Sequence, residues 1–155
     1  MTSRVRLSGL LLSFAAAAIV TGCSAHTDDL NGTWTGTDTL SDGTQLSDTV
    51  TLTADNSTIT GTVVASLNGV VIYSGTVNGT YSNPTFTFTM TVTAGGVTNQ
   101  PSCSLQFSSG SATFVNSNSG STSPSKTLTG TFVVTPGSNC TIGQTTDTFM
   151  WTMAG

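Results

Sequence analysis

At 155 residues the chain is long enough for one ordinary domain and short for two. Charged residues make up 6% of it, against about 25% in a typical globular chain, and seven aspartates with no glutamate leave a formal net charge of −4. With three Lys or Arg in all, no basic surface can neutralise a run of phosphates, so nucleic-acid partners are excluded and no phosphate-binding cofactor is implied. The scarcity of His, Glu and Lys likewise argues against most general acid–base chemistry, and no catalytic residue is assigned.

The first 22 residues pair a basic head, Arg4 and Arg6, with an apolar run from Leu7 to Val20. As helix that run is roughly 21 Å long, too short for a hydrocarbon core of about 30 Å, and it suits an export signal. It ends in Val20-Thr21-Gly22-Cys23, which resembles the lipobox of bacterial lipoproteins. The resemblance implies cleavage after residue 22, lipidation of Cys23 and anchoring in a membrane through acyl chains, with Ser24 directing the protein to the outer membrane of a two-membrane host. Residues 23–30, with the lone His26, then form a tether, and its seven residues from Ser24 to Leu30 reach at most about 25 Å.

From residue 31 to 155 the pattern has a period of two and nowhere sustains the period of a helix. Thr85-Phe86-Thr87-Phe88-Thr89-Met90-Thr91-Val92-Thr93 is its clearest form, with threonine on one face and Phe, Met or Val on the other. The same alternation predicts about nine strands, near 32–39, 47–54, 58–67, 70–74, 76–81, 85–93, 102–107, 111–115, 127–135 and 146–153, with the fourth and fifth readable as one strand kinked at Gly75. Asn68-Gly69 is a two-residue hairpin signal, and Asp42-Gly43, Asp55-Asn56, Gly95-Gly96 and Ser109-Gly110 mark further turns. Asp38-x-Leu40-x-Asp42-Gly43 reads as a solvated turn, since leucine occupies a position where a calcium loop needs oxygen. The fold expected is all-β, a single small antiparallel up-and-down barrel of about 8–10 strands, with a β-sandwich as the alternative. Closure is favoured because the lysines and inward charges that guard open sheet edges are missing. The interior is therefore expected to hold no ionisable groups.

Cys103 and Cys140 remain after Cys23 is assigned to lipid. Two thiols in an exported chain form a disulfide, and without histidine they cannot complete a zinc tetrahedron, so no metal site is expected.

Leu30-Asn31-Gly32-Thr33-Trp34 opens the first strand and resembles the Gly-x-Trp start of lipocalin-like, calycin-type barrels, in which the tryptophan closes the barrel floor. The chain departs from that pattern in having no arginine after Arg6 and in ending on a strand instead of a helix. A lipid-anchored, non-catalytic envelope protein follows, binding a small apolar or amphipathic ligand inside the barrel. Inward Trp34, Phe86, Phe88, Met90, Phe132 and Trp151 are the ligand-contacting candidates. The alternatives are a structural or interaction module with a solid core and, last, an aspartate-dependent hydrolase, which needs two aspartates to converge in one cleft.

Overall fold

The computed structural model describes residues 27–93, 95–117 and 125–154, so the signal segment 1–22 and the lipidation candidate Cys23 lie outside the described residues. A short 3₁₀ turn, Thr27–Leu30, leads into eight strands: β1 Gly32–Thr39, β2 Gln45–Asp55, β3 Thr58–Leu67, β4 Val70–Ser82, β5 Thr85–Val92, β6 Leu105–Asn116, β7 Ser125–Pro136 and β8 Thr145–Ala154. Each pairs antiparallel with the next, and β1 pairs with β8, with Asp38 opposite Phe149 and Thr35 opposite Thr152. The result is a closed up-and-down barrel; a sandwich is not formed. Closure satisfies every strand edge, so a chain almost without charge needs no other guard against edge pairing.

Period-two alternation sets the inside. Leu46, Val50, Leu52, Phe86, Phe88, Met90, Phe132 and Val134 are all buried, while the threonines between them face out. Eight strands leave an interior just wide enough for side chains to fill, and glycines make room for the largest. Phe88 pairs with Gly79 on one side and Gly110 on the other. A Cβ added to Gly79 would stand 2.8 Å from that of Phe88, and one on Gly110 would stand 2.7 Å from the Phe88 ring.

Two boundaries differ from the alternation alone. Residues 105–107 and 111–115 belong to one strand, β6, while 102–104 precede it, and Ser109-Gly110 is a bulge inside it, with Ser109 at φ 53°. Two residues of β6 oppose Thr89 there, so the inward phase slips from Leu105 and Phe107 to Gly110, Ala112 and Phe114. A slipped phase looks like a break between strands when only the sequence is read. Residues 70–74 and 76–81 also form one strand, β4, the reading that kept them together across Gly75. Asn68 and Gly69 take positive φ values of 53° and 80° in the β3–β4 turn, as a type I′ hairpin requires.

The two ends of the barrel differ. At the end where the described residues begin, the 3₁₀ turn at the foot of the expected tether folds under the strands and buries Leu30. The Trp34 indole donates to the Leu30 carbonyl at 3.0 Å, Asn31 Oδ1 accepts from the Ala54 amide, and Lys126 bonds Asp29 at 3.1 Å. Phe114 stands edge-on to both Trp34 and Tyr81, which completes a solid floor. At the other end, the chain between β5 and β6 folds back on β4 through a bridge between Val97 and Tyr73. The Cys103–Cys140 disulfide then fastens it to the β7–β8 connection.

Candidate functional site

A cavity of about 370 Å³ occupies this second end. Its walls are mainly apolar, from Leu46 on β2, Tyr73 on β4, Leu105 and Phe107 on β6 and Val134 on β7; Cys103, Gln100 and Ile142 from the stapled connections form one rim. Leu40, Ser41 and Asp42 of the β1–β2 turn form the opposite rim. A bulge in β4 helps build the wall: Ala65 pairs with Tyr73 but Ser66 pairs with Val71, so Ile72 is extra and two consecutive side chains, Ile72 and Tyr73, both reach the cavity. The floor is aromatic, with Tyr73 and Phe107 ring centres 5.1 Å apart and Phe107 resting edge-on against Phe132.

The six aromatic and methionine candidates lie below this floor. Phe88 stacks on Phe86 at 4.9 Å and meets Phe149 at 5.5 Å and Trp151 at 5.8 Å; Met90 is wholly buried on the same strand, and Trp34 belongs to the closed end. All six pack as core and none borders the mouth cavity.

The interior also corrects the expectation that it would lack ionisable groups and that Asp38 would sit in a solvated turn. Asp38, Asp48 and Asp147 are 0%, 3% and 1% exposed. Only Asp42, of the predicted turn, behaves as one: it accepts the Thr44 amide at 2.8 Å. Register explains how the three meet. Asp38 on β1 lies opposite Leu46 of β2 and Phe149 of β8; the next inward positions on those strands are Asp48 and Asp147. Inward neighbours on such a diagonal are separated by about 7–8 Å. The three carboxylates therefore form an oblique row across β2, β1 and β8, with Asp48 deepest and Asp147 on the cavity wall.

Each is held differently. Tyr73 donates its hydroxyl to Asp38 Oδ2 at 3.2 Å, and the Trp151 indole donates to Asp48 Oδ2 at 2.8 Å. The second bond passes over Gly36, which pairs with Asp48 on one side and Trp151 on the other. A Cβ there would come within 1.9 Å of the Met150 carbonyl oxygen on the adjoining strand. The remaining oxygen of each carboxylate, Oδ1, has no hydrogen-bond partner among the described residues. Burial penalises the charged form, so burial, with the charges of Asp48 and Asp147 adding to it, pushes Asp38 up to about 8 against the Tyr73 hydrogen bond. Burial pushes Asp48 up to about 6 against the bond from Trp151. Burial also raises Asp147, opposed by hydrogen bonds from Thr145 and Ser41, and the Tyr73 hydroxyl is driven well above the phenolic range, again chiefly by burial.

The signal for this row was in the sequence. Asp38 shares the phase of Trp34, Asp48 that of Leu46 and Val50, and Asp147 that of Phe149 and Trp151. Period two alone places all three on the greasy face. Their meeting needed the register.

No group of three His, Cys, Asp or Glu side chains among the described residues is arranged to hold a metal ion. The carboxylate row can store protons and accept hydrogen bonds. Of the row only Asp147 borders the cavity, and Asp42 of the rim lines it too, so a molecule entering the mouth meets these two carboxylates. Comparison with known protein families, curated proteins and solved structures finds no match to this chain.

Proposed function

We propose that this is a lipid-anchored, non-catalytic envelope protein that holds a small amphipathic molecule in the mouth of a lipocalin-like barrel. The observation that carries the reading is the cavity of about 370 Å³ with apolar walls at one end of a barrel whose other end is solid. That volume lies within the range of small-molecule sites, roughly 300–1,000 Å³, as does the combination of greasy walls with few polar groups. Val70 and Ile142, both exposed near this end, offer an apolar approach.

The tether supports the orientation. Thr27 already belongs to the folded floor, so a lipidated Cys23 would be linked to it by four residue steps, about 14 Å at full extension. The floor would then face the bilayer and the mouth would face away from it. Several acyl chains, at about 0.8 kcal/mol per buried CH₂, suffice to hold the protein there. Asp38 and Asp48 are buried away from the cavity, so an aspartate pair for glycoside-type chemistry would have to be Asp42 and Asp147, and the mainly apolar walls around them favour binding over hydrolysis.

Titration with N-phenyl-1-naphthylamine, a neutral dye that brightens in apolar surroundings, tests the reading. One dye should bind per chain, and Leu105→Trp, which fills the cavity from its wall, should weaken binding at least tenfold. Saturable binding that ignores this substitution, or no binding, counts against the mouth as a site. For the anchor, Cys23→Ser should abolish the mass added by acyl chains and leave the precursor uncut.

A further inference from the structure

Asp147 is buried, forms part of the cavity wall and keeps one carboxylate oxygen without a partner among the described residues. Behind it Asp38 and Asp48 each keep another. Buried carboxylates are ordinarily matched by a cation or a metal, since an isolated buried charge is costly. Neither is at hand. Lys126, the one Lys or Arg among the described residues, lies at the opposite end of the barrel, on Asp29. The three acids are strung along a diagonal and do not gather around one point, and no metal-holding group exists among the described residues. A cation that serves this row must enter through the mouth.

We propose that the occupant of the cavity is an amphipathic organic cation, an apolar body carrying a protonated amine that pairs with the carboxylate of Asp147, which lines the cavity with Asp42. The inference rests on the ligand-binding reading above and narrows it. The geometry sets the ligand's polarity from end to end. Tyr73 and Phe107 close the floor, so the cationic head stops at Asp147 while the apolar body lies along Leu46, Leu105 and Val134. An ionised carboxylate only accepts hydrogen bonds, which excludes an anionic head and leaves a neutral alcohol with one weaker bond. Asp38, one diagonal step away, adds negative potential without touching the ligand once the pH rises past about 8.

The groups facing Asp147 are Asp38 from β1, Asp42, Ser41 and Thr145 from the rim, with Asp48 and Tyr73 behind Asp38, and none of them is a base that could be positively charged. Acid therefore neutralises the row, and rising pH makes it more attractive to a cation.

The test is competition against bound N-phenyl-1-naphthylamine by octylamine and by 1-octanol, which match in length and differ in charge. At about pH 8.5 octylamine should compete at least about tenfold better, the factor expected of one charge-assisted hydrogen bond. As pH falls and Asp147 takes up its proton, the preference should shrink towards one. Asp147→Asn keeps the shape of the side chain and should erase the preference while leaving 1-octanol unchanged. Should that variant fail to fold, calorimetry of the unmodified protein near neutral pH, in buffers of differing ionisation enthalpy, should show protons released on binding octylamine and none on binding 1-octanol. Equal competition by the two compounds at about pH 8.5, or a preference that survives Asp147→Asn, overturns the amine assignment and leaves the ligand-binding reading standing. Failure of the dye itself to bind overturns both.

Discussion

The two ends of this barrel are built from the same alternating strands and do opposite things. The floor spends its large side chains on each other: Trp34, Phe114, Tyr81 and Leu30 fill it, and the Trp34 N–H finds a carbonyl. The mouth holds its walls apart with a disulfide and a bulge, and it leaves carboxylate oxygens without partners. One end is satisfied and the other is not. In a chain with so little charge, that asymmetry is the ground on which the mouth is proposed as a binding site.

The contrast is sharpest in Trp34→Ala, which should cost about 3–5 kcal/mol by emptying the floor. Denaturant unfolding should show the loss, while dye binding at the mouth, measured below the transition, stays unchanged. A change in binding as large as the change in stability would mean that the ends are not separable. Replacing Cys103 and Cys140 together by serine should cost roughly 4 kcal/mol, the chain-entropy value for a loop of 37 residues. Unlike the floor substitution, it should also weaken dye binding, because the rim connections lose their fastening.

The acids give the mouth half its own pH signature. Asp38 and Asp48 are held above the usual carboxylate range, so the folded barrel keeps protons that the unfolded chain releases near pH 4. Stability is therefore greatest in acid, and it falls as pH rises from about 4 through about 6 and 8, where Asp48 and then Asp38 ionise. The slope is at most about 1.4 kcal/mol per pH unit for each retained proton. Asp38→Asn keeps an acceptor for Tyr73 and removes the ionisation, so it should flatten the upper part of this curve and raise stability at pH 9. A protein as stable at pH 9 as at pH 5 would show that the row is solvated. The smallest effect belongs to the outer edge of the floor. Lys126→Met removes a half-exposed ion pair with Asp29 and should change stability by less than about 1 kcal/mol, an effect that vanishes in high salt.

Much of the barrel was legible beforehand. Thr85 to Val92 alternates without error, Asn68-Gly69 makes the turn its residues demand, and Cys103 and Cys140 pair. The break at Ser109-Gly110 misled because a bulge and a turn share the same residue types, and only strand pairing tells them apart. The inward candidates do not border the cavity, for a related reason. Phe86, Phe88, Met90, Phe132 and Trp151 do point inward, yet inwardness does not say whether a side chain faces another side chain or a space. Asp38 reads by type as a turn residue, although its phase, like that of Asp48 and Asp147, already puts it inside.

What the sequence by itself determined is local: strand or turn, inward or outward, thiol with thiol, because each depends on neighbours two to four residues away or on there being few choices. What the tertiary structure decided is which inward residues share a level of the barrel. Register across β2, β1 and β8 sets Asp48, Asp38 and Asp147 in one row, and the shape of two stapled connections leaves the cavity above them. Asp147 lies about a hundred residues from Asp38 and Asp48 along the chain, and only ring closure brings it beside them.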